Sequence, residues 1–371
     1  MQVSNYTFLN TPEAEERIQR DQDVIAQAVG KTLHKSLLSV VMIGGYGRGE
    51  GGIYNADSAL RPYNDYDYFL VLEDGQKYNE KKRYRELLPI KHELEEKLQI
   101  EVDFAITYPS KIRKLKPTLM NAEMLWGHRV ICGDADILRQ APKIEFDHLP
   151  LGEFTRLMFN RGNLLLLNKM HLDAGNFDLD EAYKFCFKAI LACGDAMLAR
   201  NSSYHPSYIQ KCEILWNNNY YNDEILRALY PIAVGHKMDP SSDLSHLPSI
   251  QDFQVEAVNL WIKTFLNFEQ FRLNKEITLN DYLDPSLDKG QFDNTSKLKN
   301  IILNLRDINL RFKQLNLRNS TIYPRCKLIS LLPTLLSNGT QRFREHINRD
   351  YGFLSTAHLE QDYIQLWHKY S

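Results

Sequence analysis

Three short stretches carry residue types that could do chemistry together: Gly44-Gly45-Tyr46-Gly47-Arg48-Gly49-Glu50, Asp65-Tyr66-Asp67, and Asp103. Residues two apart in a strand point the same way, so Asp65 and Asp67 should project from one face while Tyr66 takes the other. If the strand bearing Asp103 lies alongside, a third carboxylate joins them. The set then offers hard oxygen ligands suited to Mg²⁺, with Mn²⁺ as its substitute. Like charges about 4 Å apart repel by several kcal/mol at a protein-surface dielectric, so such a cluster implies a cation. Two ions so held can deprotonate an attacking hydroxyl and stabilise a leaving pyrophosphate. The glycines supply the complement: Gly44, Gly45, Gly47 and Gly49 let backbone N–H groups approach a triphosphate, and Arg48 offers a bidentate donor to phosphate oxygens.

Positioning these groups requires strands that end in turns. Leu37 to Ile43 is an apolar, β-branched run stopping at Gly44, and Tyr66 to Leu72 is another. Glu101 to Ile106 alternates, with Val102, Phe104 and Ile106 on one face and Asp103 on the other. Between the first two strands, Gly47 to Asn64 reads as an exposed, irregular loop. A first helix begins with Thr11 as cap, Pro12 in the first turn and Glu13, Glu15 and Glu16 at the positive end of the dipole, and Gly30 closes it. Lys81 to Leu98 has helical spacing, with Pro89 opening a second segment. Past Asp134 the strand signals fade, and helices are predicted over 154–167, 179–199, 221–234, 253–271 and 297–317. The expected fold class is therefore α+β. A domain over 1–145, with a small mixed sheet flanked by helices, precedes an all-α domain over 146–371, which has a sub-boundary at the 284–294 linker.

A Gly-Gly turn after a strand, then Asp65-x-Asp67, then Asp103, resembles the DNA polymerase β-type nucleotidyltransferase superfamily. The wording of 44–50 is similar to bacterial uridylyltransferases that modify a nitrogen-signalling protein. Pro117 to Asp134, with Glu123, Gly127, Arg129, Gly133 and Asp134, is similar to the segment after the third Asp in bacterial proteins related to aminoglycoside nucleotidyltransferases. The resemblance spans roughly residues 1 to 140 and, more faintly, Lys184 to Tyr208. It implies that Asp65 and Asp67 bind metal, that Asp103 completes the site and helps activate the acceptor, and that Gly44, Gly45 and Arg48 hold nucleotide phosphates. The reaction implied is transfer of a nucleoside monophosphate to an acceptor hydroxyl of a small molecule or protein, with release of pyrophosphate. Family prevalence favours AMP from ATP over another NTP. Two departures stand out: the loop from Gly45 to Asp65 is longer than usual by something like a β-hairpin over 51–62, and Gly45 replaces the common Ser. A general base from the helical domain has two acidic candidates, Glu181 and Asp195, between which the sequence does not choose.

Two other classes compete. Arg200 and His205 fit the loose Arg-x4-His pattern of HEPN-type ribonucleases, as in toxin systems, although a helix end followed by a polar turn accounts for the same residues. A non-catalytic nucleotide sensor would bind ATP and transfer nothing. With 371 residues the chain has room for two domains, and 43% hydrophobic with 25% charged residues is ordinary for a globular protein. Forty-five Lys and Arg against 47 Asp and Glu leave a net charge of −2, which argues against bulk nucleic-acid binding. The basic clusters at 81–85 and 111–116 read as solvated faces. Five cysteines without a C-x-x-C pair suggest neither disulfides nor zinc, and Cys186 and Cys193 should be core residues on one helix. No leader or membrane-spanning run is evident, so the expected location is the cytoplasm. Trp126, Phe185, Phe187 and Trp261 are expected in the core.

Overall fold

The computed structural model describes residues 5–56, 59–217, 223–284, 287–290, 295–306, 321–337 and 359–370. In chain order the elements are α1 (Pro12–Leu33), β1 (Leu37–Met42), α2 (Gly44–Gly47), β2 (Ile53–Ala56), β3 (Ala59–Pro62), β4 (Tyr66–Leu72), α3 (Glu80–Leu98), β5 (Val102–Thr107), α4 (Pro109–Ile112), α5 (Leu119–Trp126) and β6 (Arg129–Gly133). The rest are helices: α6 (Gly152–Asp173), α7 (Leu179–Arg200), α8 (Tyr208–Asn217), α9 (Glu224–Met238), α10 (Ile250–Leu273), α11 (Leu279–Leu283), α12 (Lys297–Arg306), α13 (Pro324–Leu336) and α14 (Leu359–Tyr370). The class is α+β, as expected. Two compact units divide the chain. The first comprises Met1–Leu149, Tyr204–Ile214 and Val234–Asp243, and the second Pro150–Ser203, Leu215–Ala233 and Leu244–Ser371. The first unit thus takes in two segments from late in the chain.

Its sheet has the order β5-β4-β1-β6, with β4 and β5 parallel and β1 antiparallel to both β4 and β6. The alternation of β4 assigns its faces. Tyr66, Tyr68, Leu70 and Leu72 enter a core with Ile18, Ile25 and Val29 of α1 and Leu87, Leu94 and Leu98 of α3, while Val71 packs on the other side with Val41, Ile112 and Met124. Buried polar anchors fix this stack, since the Tyr66 hydroxyl donates to Asp21 at 2.9 Å.

Three local expectations need correction. Helix α1 continues through Gly30 to Leu33, because Val29 and Leu33 sit four apart on the buried stripe while Gly30 lies in open space. Helix α3 runs unbroken through Pro89, an exposed position, since the stripe of Leu87, Leu94 and Leu98 holds it to the core. The 47–64 segment is not an exposed irregular loop. It is buried from Gly47 to Ile53 and includes the β2–β3 hairpin. Its burial follows from Tyr46, whose ring lies where a side chain on Gly51 would be, and from Gly51, which donates to the Tyr6 carbonyl at 3.0 Å.

Among its described residues the second unit has helices and connecting loops but no strand. Helices α6, α7 and α10 form its centre, where Gly162 lets the Trp261 ring approach and Trp261 donates to the Met158 carbonyl at 3.0 Å. Cys186 and Cys193 are buried on α7, and Phe187 and Trp261 are core residues. Phe185, in this unit, and Trp126, in the first, are half-buried. The predicted helix over 297–317 is described only to Arg306, and the 284–294 linker lies partly outside the described residues. Among the described residues no helix is long and apolar enough to cross a membrane.

Candidate functional site

Parallel pairing of β4 with β5 places Asp67 directly opposite Asp103, and the Tyr66 N–H donates to the Glu101 carbonyl at 2.9 Å, which locks the two strand starts in register. Asp65 precedes β4 by one residue. Each of the three carboxylates offers an oxygen, and these atoms all lie within 4.8 Å of one another. Asp65 and Asp103 are exposed and Asp67 is half-buried. Asp103 also receives the Lys91 ammonium at 2.6 Å.

The electrostatics follow from this crowding. Burial, reinforced by the charges of Asp65 and Asp103, pushes the Asp67 carboxyl up to about 7, with partial relief from Arg48 and Lys237. A carboxyl held in that condition is one that a divalent cation would keep ionised. The donor set of oxygens alone fits Mg²⁺ or Mn²⁺.

The glycine bend is built against this cluster. The Ile43 N–H donates to the Asp67 carbonyl at 2.9 Å. Gly44 has φ +70°, which favours glycine, and a β-carbon there would fall 2.7 Å from Asp67 Oδ2, so any side chain would displace that carboxylate. Gly45 is different. A β-carbon there would meet nothing closer than the Glu50 carbonyl at 3.4 Å, room enough for the serine that the resembled superfamily usually carries.

Arg48 corrects the sequence reading. Instead of an open fork for phosphate, it is buried, and its Nη1 pairs with Glu123 at 3.3 Å. Burial alone would lower its pKa, but Glu123, Tyr208 and Glu50 more than offset this and raise it. Glu123 is in turn held below the ordinary carboxylate range: burial pushes it up, and Arg48, Lys211 and the Tyr204 hydroxyl bring it down further than that. The Tyr204 hydroxyl donates to Glu123 and accepts from Lys211 Nζ at 3.1 Å. Lys211 is fully buried, its Nζ 4.4 Å from the centres of both the Tyr204 and Tyr208 rings. Glu50 accepts from the Ser207 hydroxyl at 2.5 Å and from the Tyr208 N–H at 3.3 Å. Sequence reading missed Tyr204, Ser207, Lys211 and Lys237, and no local signal marks them. They come from segments far along the chain that fold onto the first unit.

The remaining candidates lie elsewhere. Glu181 is exposed in the first turn of α7 and Asp195 is buried in the same helix, both in the second unit. Arg200 donates to Asn267 and lies over the Phe271 ring in the second unit. His205 belongs to the first unit, where its Nδ1 accepts from the Ser207 N–H at 3.1 Å and its ring meets Trp126 edge-on. Each member of the Arg-x4-His pair therefore has a structural partner of its own. In the basic clusters, Lys111 pairs with Glu80 at 2.9 Å and Arg83 with Glu86 at 2.8 Å.

No family model matches the chain, and no curated protein matches it. Among solved structures, it is similar to a spectinomycin adenyltransferase from Enterococcus faecialis determined with ATP and spectinomycin. The TM-score is 0.40 and the identity 14%, over 66% of this chain and 98% of that one.

Proposed function

We propose that the protein is a nucleotidyltransferase that moves a nucleoside monophosphate, AMP from ATP in the first instance, to an acceptor hydroxyl. The observation that carries this reading is the convergence of Asp65, Asp67 and Asp103 on one point beside a glycine bend that Asp67 itself touches. The resemblance of these residues to the nucleotidyltransferase signature supports it.

Asp65, Asp67 and Asp103 would hold Mg²⁺, or Mn²⁺ in its place. Bound there, the metal would supply positive charge to the phosphates and to the acceptor hydroxyl. The chain's own groups do the rest. Backbone N–H groups at Gly44 and Gly45, which carry no side chains, would take phosphate oxygens, and the positive charges of Arg48 and Lys237, which Asp67 feels, would draw the triphosphate in. The acceptor oxygen attacks the α-phosphorus in line. A new P–O bond forms as the bond to the bridging oxygen breaks, pyrophosphate leaves, and the exposed Asp103 takes the hydroxyl proton. Arg48 acts through charge from within its pair with Glu123 and makes no direct fork to phosphate.

The deciding experiment is an α-labelled nucleotide assay, run with each NTP and Mg²⁺ or Mn²⁺ against a cell extract and an aminoglycoside panel. Label should move to an acceptor, with pyrophosphate released, and Asp67→Asn should stop both. Nucleotide binding without transfer or pyrophosphate release under any of these conditions would leave only a sensor.

A further inference from the structure

The insertion that lengthens the path from Gly45 to Asp65 is stitched at its base by one side chain. The Tyr46 hydroxyl donates to the Gly52 carbonyl at 2.7 Å and accepts from the Tyr63 N–H at 3.0 Å. A backbone bond from the Tyr63 N–H to the Gly52 carbonyl, at 3.1 Å, closes the same ring. Both ends of the insertion are therefore fixed to the glycine bend, whatever lies at the hairpin tip.

From that base, two contacts reach the last turn of α9, which belongs to the same unit. The Tyr63 hydroxyl meets His236 Nε2 at 3.1 Å, with the two rings edge to face at 5.7 Å, and His236 is buried. Gly52 lies so close to the turn that a β-carbon on it would sit 2.3 Å from the Lys237 carbonyl oxygen. A backbone carbonyl cannot swing aside as a side chain can, so this approach requires glycine. The turn so gripped carries Lys237, whose ammonium lies 5.0 Å from the centre of the Tyr208 ring and whose charge is felt by both Asp67 and Glu123.

We propose that Gly52, Tyr63 and His236 form a positioning clamp that sets the Lys237 ammonium against the phosphate tail of the nucleotide. This rests on the nucleotidyltransferase reading and assigns the insertion a task within it. Tyr46 makes the clamp part of the phosphate bend, because the residue that ties the insertion down lies within the glycine run. Gly52, Tyr63 and His236 are positioning residues and touch no substrate.

The test measures binding of Mg²⁺ with α,β-methylene-ATP, and of AMP, by calorimetry on the full chain. Lys237→Gln should weaken triphosphate binding about 10-fold, and Tyr63→Phe, which removes one hydrogen bond, about 3-fold. Gly52→Ala should lose at least as much as Tyr63→Phe. AMP, lacking the tail, should bind all variants as it binds the parent, which a general loosening of the fold would not allow. Because the clamp works only through the lysine, the Tyr63→Phe/Lys237→Gln double variant should be no weaker than Lys237→Gln alone, rather than about 30-fold down. Multiplying losses, or triphosphate affinity unchanged in Gly52→Ala and Tyr63→Phe while the parent binds tightly, would overturn the clamp and leave the transferase reading intact. A parent chain that binds no nucleotide would overturn that reading, and the clamp with it. Should Tyr63→Phe fold poorly, Gly52→Ala alone decides through its ratio of triphosphate to AMP affinity.

Discussion

Both units draw a carboxylate in from the surface, one wholly and one halfway, and they treat it in opposite ways. In the second unit, Glu269 is wholly buried and its oxygens are taken up from all sides: by the Thr155 hydroxyl at 2.6 Å, the Tyr282 hydroxyl at 2.9 Å, and the Arg272 guanidinium at 2.8 and 2.6 Å. In the first unit, Asp67 is grouped with two more carboxylates, and Lys91 pairs with Asp103 rather than with Asp67. A buried charge with all its oxygens partnered is costly to disturb, whereas clustered carboxylates that hold one another's protons on are relieved when a cation arrives. The difference separates an acid neutralised by its own neighbours from one left crowded by like charges, the condition the proposed metal site requires.

Substitution should expose that difference. The largest effect is expected from Asp67→Asn, which should cut nucleotidyl transfer by about 10³-fold or more while leaving the unfolding midpoint unchanged or raised, because it relieves repulsion. Comparable losses of activity and stability together would erase the contrast. Next comes Glu269→Gln, which strands Arg272 and should lower the unfolding free energy by about 3 kcal/mol in urea titrations. A cost near zero would make the two carboxylates alike.

Lys327 extends the comparison to a cation. Burial lowers its ammonium pKa to about 7, and its Nζ donates to Asn304 at 2.6 Å. The unfolded chain, with lysine near its ordinary 10.5, binds more protons between pH 7 and 10.5, so stability should rise with pH across that window, by at most about 1.4 kcal/mol per pH unit. Denaturation at stepped pH should show this slope, and Lys327→Met should flatten it. The smallest effect is from metal: Mg²⁺ at ten times its dissociation constant should stabilise the parent by about 1.4 kcal/mol. Thermal scans should show a rise of a few degrees in the parent and none in Asp67→Asn.

The parts legible in the sequence were those set by local pattern. Strand period two aligned Asp65 with Asp67, and β4 begins and ends where its apolar run does. The same reading misplaced the end of α1 and divided α3 at Pro89, because burial of Val29, Leu33, Leu87 and Leu94 outweighs what Gly30 and Pro89 prefer locally. Arg48 looked like an open phosphate fork because no sequence pattern reveals that Glu123, 75 residues away, will reach it. Lys211 and Lys237 were invisible for a related reason: a single lysine in a helix looks like surface until tertiary packing shows what lies over it.

The contact between Gly44 and the Asp67 carboxylate makes the two positions a single heritable unit. A chain that gains any side chain at the first must move or surrender the acid at the second. An alanine arising at the bend would therefore force the Asp67 carboxylate to turn aside, so the two positions are free to change only in concert.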